Sequence, residues 1–201
     1  MTARLVVLAS GSGTTLQAVL DATQDQTFGA VVVAVGTDRP GTGAQARAQA
    51  AGIPTWTIRL EDATDRSTFD AQVGDAIAAQ RPDLVVLAGY LKVLGPAVVR
   101  RFRMVNTHPS LLPAFPGAHA IRDALAYGVR VSGCTVHLVD EGVDTGPVLA
   151  QAAVAVQEGD TEDSLRERIQ AMERVLYVDT IRRLVTSFAH ESPPAEPEEP
   201  A

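Results

Sequence analysis

Apolar runs at residues 4–9, 30–35, 53–58 and 83–88 alternate with helix-forming stretches through the first half of the chain. Three of them, 4–9, 30–35 and 83–88, are apolar almost throughout, the pattern of strands covered on both faces rather than one. The intervening segments read as helices at 14–20, 42–51 and 67–79. The second is rich in Ala and Gln and is stopped by Gly52; the third places Phe69, Val73 and Ile77 on one face, with Ser67 as N-cap. A further strand begins at Met104, and residues 117–127 read as a helix ended by Gly128. Residues 129–138 and 147–156 read as a more exposed, antiparallel pair. A long helix over 163–187, capped by Asp160 or Thr161, carries Leu165, Ile169, Met172, Leu176 and Ile181. The expected fold is α/β, a mostly parallel twisted sheet flanked by helices with an antiparallel end. Ligands in such sheets lie beyond the carboxyl ends of the strands, near the switch in strand order. Residues 11–15, 90–94, 106–110 and 140–144 are expected to converge there.

Two hundred and one residues suit a single domain able to bury about 70% of its unfolded surface. Aromatics are only 4%, so its core must be built from Val, Leu, Ala and Ile. The formal net charge of -7 opposes non-specific nucleic-acid binding, but a local nest of backbone donors still accommodates a phosphorylated small molecule. The single cysteine, Cys134, excludes an internal disulfide and reads as buried packing. Glycines at 11 and 13 interrupt the first apolar run too early for a signal-peptide core, and no run approaches a bilayer span. The expectation is a cytoplasmic protein with no membrane partner. Residues 191–201 carry four Pro and four Glu and nothing to build a core, so they read as a disordered acidic tail.

The turn containing Gly11, Ser12, Gly13, Thr14 and Thr15 follows the first strand and opens the first helix. It reads either as a tight turn with a threonine N-cap or as a cradle of N–H groups and hydroxyls for a phosphate. A dinucleotide fingerprint would need glycine where Leu16 stands, and no P-loop lysine follows. A single phosphomonoester fits better than a nucleotide.

Asn106, His108 and Asp144 each stand near Pro or Gly on loops that end strands. Singly, they read as a loop amide, a strand cap and a turn residue. Together they suit acyl transfer to an amine: an amide to bind an oxyanion, an imidazole to carry a proton, and a carboxylate to orient it. No Ser or Cys is placed as an obvious nucleophile, which favours direct transfer. His108, His119 and His137 are eleven and eighteen residues apart, unlike compact zinc spacings, so no metal is expected. Strand periodicity leaves the face occupied by His137 open.

The segments Asn106-Thr-His108-Pro-Ser-Leu-Leu-Pro113 and Asp140-Glu-Gly-Val-Asp144-Thr-Gly-Pro147 resemble the active site of the folate-dependent formyltransferases. The resemblance covers roughly residues 4–186 and implies a single Rossmann-like formyltransferase domain over 1–190, with 191–201 as the tail. It implies 10-formyltetrahydrofolate as cosubstrate, no metal, and catalysis by Asn106, His108 and Asp144. It further implies that Gly11, Ser12, Gly13, Thr14 and Thr15 bind the phosphate of the acceptor, with Glu173 facing its ribose. Periodicity alone would turn Glu173 to solvent. The folate would contact Arg66, Leu91, Lys92, Val93, Leu94, Asn106, Asp140, Glu141, Gly142, Val143 and Asp144, with His119 and His137 in support. Two positions depart from the pattern: Thr14-Thr15 replaces the usual Ser-Asn, and Ile121 stands where a second histidine is common. Family branches acting on tRNA, or hydrolysing the formyl group, resemble larger proteins with an added domain. The expected acceptor is therefore 5'-phosphoribosylglycinamide, in purine synthesis. The resemblance permits a homodimer, and no sequence pattern fixes its interface.

Overall fold

The computed structural model describes residues 2–188; the expected acidic tail lies outside the described residues. Seven strands form one sheet: β1 (Ala3–Ala9), β2 (Ala30–Thr37), β3 (Thr55–Thr57), β4 (Leu84–Leu87), β5 (Met104–His108), β6 (Val131–Leu138) and β7 (Val148–Ala155). Their order is β3-β2-β1-β4-β5-β6-β7. The pairings from β3 through β5 are parallel, and those of β5 with β6 and β6 with β7 are antiparallel. Among the described residues, six α-helices flank the sheet: α1 (Thr14–Ala22), α2 (Gly43–Ala50), α3 (Arg66–Ala78), α4 (Pro96–Val99), α5 (Ala120–Tyr127) and α6 (Glu162–Phe188).

The continuous apolar runs are explained by burial on both faces. Leu5, Val7 and Ala9 of β1 pack with Leu84 and Val86 beneath α1 and α6, against Leu16, Val19, Tyr177 and Ile181. The intervening Val6 and Leu8 join Val85 and Leu87 on the opposite face, against Phe69, Val73 and Ile77 of α3. Each fully buried side chain of this kind contributes roughly 1.5–3 kcal/mol relative to exposure. A third cluster joins Cys134 to Ile121, Leu165 and Ile169, and burial pushes the Cys134 thiol up to about 11. That thiol is a packing group rather than a nucleophile.

Several boundaries differ from expectation. The N-cap of α3 is Asp65, whose carboxylate accepts from the Thr68 N–H at 2.7 Å, because it stands one residue ahead of the helix that Ser67 has already entered. Thr161 caps α6, accepting from the Ser164 N–H at 3.2 Å. The strand expected over 53–58 shortens to three residues at the sheet edge, and α5 starts at Ala120 rather than 117. Strand β6 is buried along most of its length because β5 and β7 flank it, so only β7 keeps the exposed, alternating character expected of both. On α6, Met172 is exposed whereas Glu173 is buried, so the inward stripe runs through Leu165, Ile169, Glu173, Tyr177 and Ile181.

Tyr177 ties that helix to the sheet. Its hydroxyl lies 3.0 Å from the Leu87 carbonyl and 2.8 Å from the Val105 carbonyl, and its side chain is fully buried. Leu87 pairs with Asn106 across β4 and β5, so this anchor sits directly beneath the start of the functional loops. No helix among the described residues is long and apolar enough to cross a membrane.

Candidate active site

Strand order reverses between β1 and β4, and the two strand ends are stitched together there. The Ser10 N–H donates to the Gly89 carbonyl at 3.1 Å, and the Ser10 hydroxyl accepts from the Leu91 N–H at 2.9 Å. The glycine turn leaves this point and enters α1 through Gly13, whose φ of 74° favours glycine. A side chain at that position would also meet the backbone of Ala44 at 2.6 Å, because α2 docks on the turn. The N-cap makes no side-chain hydrogen bond, so the threonine-cap reading of this turn does not hold. Among the described residues, the N–H groups of Ser12, Gly13, Thr14, Thr15 and Leu16 meet no protein acceptor. A helix start with free donors and positive partial charge is an anion cradle. Thr15 donates its hydroxyl to Glu173 at 3.3 Å, which places the predicted ribose-facing carboxylate beside the predicted phosphate turn. Burial pushes the Glu173 carboxyl up to about 7, against the opposing effects of Thr15 and Arg174.

The second group of residues gathers at the end of β5. Asn106 and His137 are cross-strand partners on β5 and β6, and Asn106 Nδ2 lies 3.1 Å from His137 Nε2. His137 Nδ1 donates to the Leu138 carbonyl at 2.8 Å, so Nε2 of the neutral ring is the acceptor for the Asn106 amide. One of the two amide protons of Asn106 is thereby used, and the other remains available. His137 is also 3.6 Å from Asp144 Oδ1, longer than its bond to Asn106.

His108 is buried, with Nε2 2.9 Å from the Phe115 carbonyl and Nδ1 3.2 Å from Asp144 Oδ2. A carbonyl only accepts, so Nε2 carries a proton, and the site as built accommodates a second proton between Nδ1 and the carboxylate. Burial pushes the Asp144 carboxyl upward, but the Gly117 N–H at 2.8 Å and the charge of His108 oppose it, and the carboxyl is held below the ordinary carboxylate value. The backbone around this carboxylate is constrained. Phe115 and Asp144 both have positive φ, 52° and 57°, in a region uncommon for residues other than glycine.

The structure thus brings together Asn106, His108, Asp144 and His137, and it settles the face of His137 as inward. His119 is not joined to them: it is exposed at the start of α5, and no hydrogen bond links its ring to the cluster. Along the expected folate arm, Leu91 and Val93 are exposed, while Leu94 is buried in the core with Phe69 and Val98. Lys92 Nζ lies 3.8 Å from the Asp38 carboxylate, whose side chain is fully buried. Asp38 follows β2, where a dinucleotide fold places a ribose-binding acid, but here Arg39 and Lys92 occupy it. Arg66 pairs with Asp70 at 3.1 Å and donates to the Val93 carbonyl, bracing the arm from α3.

In the 140–144 loop, Asp140 accepts from the Thr145 hydroxyl at 2.7 Å and the Gly142 N–H at 3.1 Å, which folds the loop on itself. Glu141 is held by Arg100 through contacts of 2.6 and 2.9 Å, and Val143 is exposed. Sequence reading missed the Phe115 carbonyl and the Gly117 N–H, because backbone groups carry no residue signature. It missed Arg100 because its partner is 41 residues away. No cluster of His, Cys, Asp and Glu among the described residues is arranged to hold a metal ion.

Comparison with known proteins places this arrangement in a family. The family model for formyl transferase matches residues 3–181. Phosphoribosylglycinamide formyltransferase of Mycobacterium tuberculosis is 53% identical over 186 residues, covering 92% of this chain and 86% of that protein. The crystal structure of glycinamide ribonucleotide transformylase 1 from Symbiobacterium toebii superimposes with a TM-score of 0.90 at 44% identity, covering 92% of this chain and 89% of that one. Phosphoribosylglycinamide formyltransferase from Bacillus halodurans gives a TM-score of 0.88 at 38% identity, covering 92% and 96%. By sequence match and by fold, this chain belongs to the formyl transferase family.

Proposed function

We propose that this protein transfers the formyl group of 10-formyltetrahydrofolate to the amine of 5'-phosphoribosylglycinamide, a step of de novo purine (IMP) biosynthesis. The observation that carries the reading is the pairing of two features on one sheet edge. A turn with free N–H donors lies at the end of β1, and the Asn106–His108–Asp144 cluster lies two strands away at the end of β5. The first suits the phosphate of the acceptor and the second suits the chemistry at its amine.

The amine nitrogen attacks the formyl carbon, and the carbonyl electron pair moves onto oxygen. Asn106 supplies its uncommitted amide proton to that oxyanion, while His137 fixes which end of the amide faces the reaction. Collapse of the tetrahedral centre breaks the bond to N10 of the folate, which leaves with a proton originating on the amine. The His108–Asp144 pair, at 3.2 Å, holds and passes that proton and adds positive charge near the oxyanion. Thr15 and Glu173 face the ribose end of the acceptor. Leu91, Val93 and Val143 offer apolar surface to the flat folate ring, and the bent 140–144 loop encloses it.

Incubation with both substrates and identification of the products tests the reading. Formylated glycinamide ribonucleotide should appear in a one-to-one ratio with tetrahydrofolate. Formate released at the same rate with or without the glycinamide acceptor would instead mark a hydrolase.

A further inference from the structure

A cavity of about 450 Å³ runs along the outer face of α1, between α2 and α6. Thr14, Gln17 and Asp21 form its floor, and two guanidinium groups, Arg47 and Arg174, form its walls. Arg47 is fixed to the glycine turn: Nε donates to the Ser12 carbonyl at 3.0 Å and Nη1 to Gln17 Oε1 at 3.1 Å. Arg174 follows Glu173, which the Thr15 hydroxyl holds against the first turn of α1. Both cations therefore line one cavity with Thr14 at the start of α1, and Arg47 is bonded to the glycine turn itself.

Neither guanidinium is neutralised by a carboxylate in this acidic chain. Several other arginines are matched to carboxylates, as in Arg39–Asp38, Arg100–Glu141 and Arg168–Asp160. Among the described residues, neither Arg47 nor Arg174 has a carboxylate within 4.0 Å; the hydrogen bonds of Arg47 go to neutral oxygens, and the charge of Arg174 is felt by adjacent Glu173. The one acid lining the cavity, Asp21, accepts from Gln17 Nε2 at 2.8 Å and lies seven residues, about 10 Å, further along the helix. Charge in the cavity thus runs from positive at the glycine turn to negative at the far end.

We propose that Arg47 and Arg174 clamp the phosphate of the ribosyl acceptor over the first turn of α1. A phosphomonoester carries nearly two negative charges at neutral pH, matching two guanidiniums, and its oxygens suit their planar arrays of donors. The clamp rests on the acceptor assigned above, and it makes these side chains determinants of specificity for a phosphorylated over a dephosphorylated acceptor.

Steady-state kinetics and calorimetry on the full chain test it, with inorganic phosphate as the probe in calorimetry. Arg174→Met should raise the acceptor KM by roughly 10-fold or more, as expected for a lost charge-assisted contact. kcat at saturation should fall far less, and the KM for 10-formyltetrahydrofolate should not move. Phosphate affinity should weaken by a similar factor. Arg47→Lys, which keeps the charge but loses the planar fork, should fall between wild type and Arg47→Met. Thermal unfolding midpoints identify any variant whose loss is one of folding, and Arg174→Met, which breaks no intramolecular hydrogen bond seen here, then decides. An unchanged acceptor KM and unchanged phosphate affinity in Arg174→Met would overturn the clamp while leaving formyl transfer intact. Should the wild type fail to formylate the acceptor, phosphate binding to wild type and Arg174→Met still decides, and equal affinities would refute the clamp.

Discussion

Asn106 and His137 face each other across β5 and β6, and the amide nitrogen meets the imidazole at 3.1 Å. The histidine is itself fixed by donation to the Leu138 carbonyl, so it presents an acceptor and thereby dictates that the amide nitrogen points inward. On the proposed mechanism, His137 positions Asn106. Replacing it with Ala should lower kcat by about 10-fold, the effect of losing roughly 1.4 kcal/mol of preorganisation. Acceptor KM should be nearly unchanged, and His137→Gln, which restores an acceptor, should recover part of the loss. Equal kcat and KM effects in the Ala and Gln variants would show that the ring only fills space.

Asp144→Asn keeps the size of the side chain but removes the charge opposite His108 Nδ1. It should reduce single-turnover formyl transfer by roughly 10²-fold while leaving acceptor affinity near normal. His108→Ala should show a comparable loss, and the double variant should lose less than the product of the two. Near-normal chemistry in Asp144→Asn would refute this role. Because the carboxyl is held below the ordinary carboxylate range, its ionisation should place no limb on the kcat profile near neutral pH.

Glu173 gives a pH dependence of the opposite sign. Burial raises its carboxyl from 4.5 to about 7, so the native state binds this proton more tightly than the unfolded chain does. The resulting stabilisation is complete below pH 4.5 and is lost as pH rises through about 7. Glu173→Gln removes this titration. The difference in unfolding free energy, variant minus wild type, should therefore increase across that interval, by up to roughly 3 kcal/mol. Denaturant melts at several pH values provide the measurement, and a flat difference would contradict the buried, proton-binding carboxyl.

Arg100 holds Glu141 at 2.6 Å on the surface, joining α4 to the loop that carries Asp144. Both groups are substantially exposed, so Arg100→Ala should cost well under 1 kcal/mol of stability. Its effect should appear instead in the folate KM, raised a few-fold, and should fade in wild type as salt is added. A kcat loss as large as that of Asp144→Asn would mean that the ion pair does more than restrain the loop.

The sheet was legible because Leu5 to Ala9 and Leu84 to Leu87 are apolar on both faces, a pattern that fits doubly covered strands alternating with helices. Asn106, His108 and Asp144 were legible through their neighbours, since Pro and Gly beside polar groups mark strand-end loops. Glu173 and Met172 show where periodicity fails. The inward stripe of α6 admits a carboxylate because Thr15 partners it, and no count of apolar positions contains that information. The side chain of Leu94 packs in the core beside Phe69 and Val98, while its neighbour Val93 is exposed, an in-and-out alternation that the letters of this segment leave open. The contacts of Phe115 and Gly117 with His108 and Asp144 arise from backbone conformation, which the residue letters do not encode.

Tyr177 and Glu173 stand one turn apart on α6, and each is anchored to a different part of the reaction path. Glu173 meets Thr15 at the turn proposed to hold one end of the acceptor, while Tyr177 holds the carbonyls of Leu87 and Val105 beside Asn106, where the other end is proposed to react. A single stiff rod therefore sets the interval between grip and reaction, much as a caliper does. On the proposed mechanism, an acceptor lengthened by one methylene between sugar and amine should still bind, but should be formylated more slowly than the natural acceptor in single-turnover assays. On that reading, discrimination by length would rest on the helix behind the site.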